Sequence, residues 1–138
     1  MLDVNNIAEG ARLPALERTI DLPDMIAYAG ATWDWHRLHY DPHFVAEKQL
    51  SAPVVDGQVF GAYLAEQLLD AFGPRCFIRK LSFRFRSMVF AEETITCQST
   101  VTSVQTTTAG VIVGLEQQVL VGDRVVVAPA SAEVILHD

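Results

Sequence analysis

The hydrophobic pattern of this chain changes period once, near residue 74, and that change limits what it can fold into. After it, four long runs read as strands. Phe77, Leu81, Phe83 and Phe85 fall on one face of the first, with Lys80, Ser82, Arg84 and Arg86 on the other. Thr94 to Val104 alternates β-branched and polar residues, and Val111 to Val121 and Arg124 to Leu136 flank Gly122-Asp123, a pair suited to a two-residue hairpin turn. Before residue 74 the pattern is helical or irregular. Leu16 to Ile20 is a short strand candidate. Asp21 caps a helix with Pro23 and Asp24 in its first turn, and that helix carries Met25, Ile26 and Tyr28 before fading at Gly30. Asp41-Pro42 starts a short helix over His43 to Lys48. A longer helix, from about Gln58 to Ala71, stops at Phe72-Gly73-Pro74. Its apolar residues, among them Val59, Phe60, Leu64 and Leu68, cover more than one stripe, so most of its sides are buried. The expected architecture is α+β: one domain over residues 1–138, with an antiparallel sheet wrapped round one long helix. A sheet this short and apolar needs cover, which predicts a dimer.

Half of the 138 residues are hydrophobic and a fifth are charged, enough for a packed core. Seventeen acids against ten bases give a net charge of −7, which argues against a nucleic acid or an anionic membrane surface as partner. No apolar run reaches the ~18 residues of a membrane span. The first residues show no basic segment followed by an apolar one, so no signal peptide is expected. Cys76 and Cys97 are too few for a disulfide framework; a reducing, cytoplasmic compartment is the simpler reading.

Polar chemistry concentrates between Thr32 and His43. Asp34 and His39 stand five residues apart in an irregular segment, close enough to converge on one small volume. A carboxylate and an imidazole there can hold a water, take one of its protons and return a proton elsewhere. The competing reading is a helix cap and a surface histidine. A metal is a third reading, since His36, His39, His43, Asp34 and Asp41 are ligand types, but their spacing matches no zinc pattern and no metal is expected. Further on, Val54-Val-Asp-Gly57 runs into the long helix. Free N–H groups at a helix start attract negative charge, and a glycine lets a ligand approach the backbone. An ordinary helix-cap glycine would look the same.

Taken together these pieces resemble the MaoC-like (R)-specific enoyl-CoA hydratases of the hotdog superfamily. That family's motif reads aspartate, any residue, asparagine, proline, isoleucine or leucine, histidine; here it stands as Asp34-Trp35-His36-Arg37-Leu38-His39. Residues 36–41 look closer still to the branch holding 3-hydroxyacyl-thioester dehydratase type 2 and the mesaconyl-CoA hydratases. Val54-Val-Asp-Gly57 is similar to the loop before the central helix, and the turn from Val89 to Glu93 to the one after a strand. The resemblance covers residues 20–135 and implies a hotdog fold whose two subunits join sheets. It implies that Asp34 and His39 activate water for addition to a 2-enoyl-CoA, or run the reverse dehydration of a 3-hydroxyacyl thioester. It implies that the Gly57 N–H holds the thioester oxygen. No cofactor is implied; coenzyme A is part of the substrate.

Three positions depart from the family pattern. Asp56 stands where a histidine is usual, Glu92 replaces a turn glycine, and His36-Arg37 replaces asparagine-proline. They leave two alternatives open: a hotdog thioesterase using Asp56 or Asp34, and a non-catalytic acyl-binding subunit of a hetero-oligomer. Half of the ten bases fall between Arg75 and Arg86, a candidate site for coenzyme A phosphates, although a solvated sheet face would also look so. Arg84, Arg86, Val55 and Tyr40 are the residues expected to touch substrate. Seven of the twelve aromatics lie between Tyr28 and Tyr63, either lining an acyl pocket or serving as core and interface. The expected assembly is a homodimer or higher homo-oligomer, because one hotdog of this length lacks the second half of a double one.

Overall fold

The computed structural model describes residues 7–137. Five strands, β1 (Leu16–Thr19), β2 (Cys76–Phe85), β3 (Thr94–Thr107), β4 (Gly110–Val121) and β5 (Arg124–Leu136), form one antiparallel sheet in the order β1-β3-β4-β5-β2. Three helices, α1 (Leu22–Thr32), α2 (Pro42–Glu47) and α3 (Gln58–Phe72), precede β2. A single 3-10 turn, Arg37–His39, sits between α1 and α2. This is the α+β hotdog arrangement: the sheet curls around α3, whose Phe60 and Leu64 pack into one core cluster and Leu68 and Phe72 into a second. Burial of these large side chains against both halves of the sheet is what fixes the helix in place; each contributes about 1.5–3 kcal/mol.

Glycine makes the closest helix–sheet contacts possible. A Cβ on Gly57 or on Gly61 would lie 2.7 Å from the ring of Phe85 or Phe83 respectively, so the two rings of β2 rest directly on the α3 backbone. At the middle of α3, Gln67 is buried against the sheet. Its amide nitrogen, Nε2, donates to the carbonyls of Pro14 and Cys97, its Oε1 accepts from Ser99 Oγ, and Gln117 Nε2 donates to the same Ser99 oxygen. The network satisfies Gln67 and Ser99, while Gln117 Oε1 stays buried without a partner among the described residues.

The structure corrects the reading of β2. Phe77 does not share a face with Leu81 and Phe83: it is 61% exposed, while its neighbours Cys76 and Ile78 pack into the core. The pairing steps from Ile78–Val134 to Lys80–Glu133, leaving Arg79 as a bulge, and one extra residue swaps the faces of everything after it. The bulge precedes Lys80 and Arg84, both exposed on β2, while Arg86 lies just past the strand, where a second irregularity stands opposite Ala128-Pro129. Helix α1 also outlasts Gly30, running to Thr32 and ending on Trp33 in the left-handed conformation (φ 59°). Strand β3 extends three residues past Val104. Among the described residues no helix is long and apolar enough to cross a membrane.

Candidate active site

The end of α1 delivers Asp34. The N–H groups of Trp33 and Asp34 both return to the Ala29 carbonyl, which turns the chain sharply off the helix. Asp34 Oδ1 then accepts the His36 N–H at 3.2 Å, and His36 Nδ1 accepts the Leu38 N–H at 3.1 Å. These local bonds wind residues 37–39 into their 3-10 turn. A clamp follows: Arg37 Nε and Nη2 each lie 2.8 Å from Asp41 Oδ2, while Asp41 Oδ1 caps α2 through the His43 and Phe44 N–H groups. The Phe44 N–H and the Arg37 guanidinium hold the Asp41 carboxyl below its usual range.

His39 is oriented from behind. Its Nδ1 lies 2.7 Å from the Val54 carbonyl oxygen. A carbonyl only accepts, so Nδ1 carries the hydrogen and Nε2 is left as the acceptor. The same segment is held by the Val54 N–H to the Leu38 carbonyl and by the Val55 N–H to the Val89 carbonyl.

Asp56 completes the group. Its Oδ1 accepts the Gln58 N–H at 2.9 Å and its carbonyl accepts the Val59 N–H, so the carboxylate is set by the start of α3. Its Oδ2 is buried and meets no hydrogen-bonding partner among the described residues. One side-chain atom each of Asp34, His39 and Asp56 lie within 4.8 Å of one another. Two carboxylates and an imidazole are also ligand types for a divalent cation.

These residues line a cavity of about 510 Å³ between β1, α1 and α3, with Asp34, His39, Val55 and Asp56 on its wall and Met25, Tyr28, Val59 and Tyr63 supplying apolar surface. Burial, and then the Asp56 charge, push the Tyr28 hydroxyl above its ordinary range. A second cavity of about 370 Å³ lies on the other side of His39 and Val55, and is lined by Gly57, Phe60, Phe85, Arg86 and Met88. Gly57 and Asp56 thus face different cavities although they are adjacent in sequence. No acceptor among the described residues takes the Gly57 N–H. Gly57 has φ −61°, an ordinary helical value, so what requires glycine here is the approach of Phe85 and not the backbone conformation.

Of the residues singled out from sequence, Asp34, His39, Val55, Gly57 and Arg86 surround this pair of cavities. Tyr40 and Arg84 line neither cavity. The Tyr40 hydroxyl donates to the Trp35 carbonyl at 3.1 Å, bracing the turn from outside, and Arg84 is exposed on β2. Arg79 and Lys80 face Glu133 at 3.4 and 3.9 Å. Sequence reading treated Asp56 as a departure and missed that it faces Asp34 and His39. The available signal was the Asp-Gly-Gln start of a helix, which aims one carboxylate oxygen at the backbone and the other away from it.

The sequence model of one family, described as the MaoC like domain, matches residues 3–123. The chain belongs to the MaoC-like domain family. No curated protein matches it. Solved structures of the fold superpose closely despite low identity. An (R)-hydratase from A. caviae involved in PHA biosynthesis is 22% identical, with a TM-score of 0.86 over 95% of this chain and 98% of that one. The R-hydratase PhaJ1 from Pseudomonas aeruginosa is 18% identical, with a TM-score of 0.87 over 98% and 85%. The ChsH1-ChsH2 complex from Mycobacterium tuberculosis contains a chain 21% identical, with a TM-score of 0.83 over 94% and 98%. At this identity the likeness establishes the hotdog fold shared across MaoC-like proteins.

Proposed function

We propose that this MaoC-like chain adds water to a 2-enoyl-CoA thioester, or removes it from a 3-hydroxyacyl thioester. The observation that carries the reading is the convergence of Asp34 and His39 on one side of a largely apolar cavity, with the Gly57 N–H just across His39 and Val55. The acyl group lies in the larger cavity and the thioester passes to the smaller one. Water sits between the Asp34 carboxylate and His39 Nε2. As its oxygen bonds to C3, one O–H proton goes to the base of the pair. The C2–C3 π electrons move toward the thioester, and the oxygen gains charge against the Gly57 N–H. A proton is then returned from this site to C2. Positioned acid–base groups contribute about 10²–10⁴ in rate, and an oxyanion donor about 2.7–4 kcal/mol. The chemistry needs no metal or redox group, so EDTA should leave turnover unchanged. We place the functional unit as a homodimer or higher homo-oligomer, joined through the β2 edge where Phe77 and Phe85 are exposed.

The test follows the loss of enoyl-thioester absorbance with crotonyl-CoA and longer substrates. Asp34→Asn and His39→Ala should each lower the rate by about 10²-fold or more while leaving the fold intact. Full activity in both variants would reject the reading. Asp56 at the head of α3 favours a second reading, thioester hydrolysis, which a thiol reagent would reveal as free coenzyme A.

A further inference from the structure

We propose that Asp56 is a third catalytic group, which binds the reacting water together with Asp34 and His39. The inference rests on the hydration reading and adds a residue to it. Three atoms no more than 4.8 Å apart share a point about 2.8 Å from each, the length of an ordinary hydrogen bond to water. One water there reaches all three residues at once. Each residue is held in place by a bond of its own: Asp34 Oδ1 takes the His36 N–H, Asp56 Oδ1 takes the Gln58 N–H, and His39 Nδ1 gives its hydrogen to Val54. Asp56 Oδ2 is buried with no partner among the described residues, a position a carboxylate oxygen holds at a cost unless something donates to it.

Counting hydrogens then assigns a role. Two carboxylate oxygens and an imidazole Nε2 are three acceptors, and a water has two hydrogens to give. One of the three must bring a proton and donate it to the water oxygen. That is the proton C2 requires. In hydration the water loses one proton to a carboxylate as its oxygen bonds to C3. The protonated member of the trio then gives its proton to C2, and the captured proton crosses to replace it. The elements of one water are added and the site returns to its starting state. A site with only Asp34 and His39 satisfies both water hydrogens without holding a proton in reserve. The other titratable groups on the cavity wall are Asp24 and Tyr28 from α1, Tyr63 and Glu66 from α3, and Arg18 from β1, which is paired with Glu66.

The experiment compares Asp56→Ser and Asp56→Asn with the full-length chain on an enoyl-CoA. Both substitutions keep an acceptor for the Gln58 N–H, so the start of α3 is preserved, and the melting temperature checks it. Expected is a fall in kcat of about tenfold or more with KM within about twofold. Wild-type kcat in both variants, with Asp34→Asn inactive, would overturn this inference and leave hydration standing. A wild-type chain inactive on every enoyl-CoA would overturn hydration and the role of Asp56 with it. Release of free coenzyme A that disappears in the Asp56 variants would assign Asp56 to hydrolysis instead.

Discussion

Gly57 and Phe85 approach so closely that no side chain fits between them: a Cβ on Gly57 would lie 2.7 Å from two atoms of the Phe85 ring. Gly57→Ala should therefore displace the ring into the smaller cavity, cost about 1–3 kcal/mol of stability and lower kcat/KM. Alanine keeps the N–H, so adding Phe85→Ala should recover much of the turnover. In that background Gly57→Pro is compatible with the observed φ of −61° and removes the N–H. It should then lose a further 10²–10³ in kcat, roughly the effect of deleting one oxyanion donor. Steady-state kinetics on the three variants separate the space from the donor.

The two arginines expected to meet coenzyme A occupy different places. Arg86 lines the cavity that holds Gly57, with its Nε held by the Ala128 carbonyl at 2.9 Å; Arg84 projects from β2 beyond either cavity. Arg86→Glu should raise KM for an acyl-CoA about tenfold at low salt, the scale of one charge-assisted phosphate contact, and the effect should shrink as salt is added. Arg84→Glu should change KM by less than about twofold, as expected of a solvated charge. Equal effects of the two would place the nucleotide along β2 instead.

Glu92 has φ 71°, the left-handed region, at the turn that joins Phe90 to β3. The turn is held around it: the Glu92 N–H donates to the Ile20 carbonyl, and the Glu93 carboxylate meets Arg124 at 2.8 and 2.9 Å. The backbone conformation costs a side chain about 1–2 kcal/mol, and a glycine gives back part of that gain through unfolded-state entropy. Glu92→Gly should raise stability by about 0.5–1 kcal/mol, read as an increase in the urea midpoint, with turnover unchanged.

What was legible in the sequence depended on whether the signal was local. Asp34 and His39 could be paired because a short turn brings them together, and α3 could be found because its apolar residues and its Gly-Pro stop are contiguous. The Asp-Gly-Gln helix start sets the direction of the Asp56 carboxylate, but Asp56 and His39 meet because the Val54 segment is hydrogen-bonded to Leu38 on one side and to Val89 on the other, a pairing of distant segments. The exposed side of Phe77 was hidden because Cys76, Phe77 and Ile78 are all apolar, so period alone could not reveal the Arg79 bulge. The Gln67–Ser99–Gln117 network was invisible for a similar reason. Polar residues at these positions read as surface until α3 and two strands are brought together.

Cys97 links this packing to pH. It is fully buried on β3, and burial pushes its thiol up to about 12, while partly buried Cys76 is pushed up to about 11. Below the ordinary value near 9, both thiols are protonated whether the chain is folded or not, and their contribution to stability is fully present. Above it the unfolded chain releases its thiol protons first and the folded chain retains them. Stability should therefore fall as pH rises from about 9 toward 12. The urea midpoint of the wild type should drop more between pH 8.5 and 10.5 than that of Cys97→Ala, which lacks the larger of the two shifts; these pH values are roughly chosen to bracket the free-thiol titration. A thiol reagent at pH 8 should label Cys97 roughly a hundredfold more slowly in the native chain than in urea, since the reactive thiolate is both rare and covered. Rapid native labelling of Cys97, or identical midpoint shifts in the two proteins, would show that the β3 core opens far more readily than its packing against α3 implies.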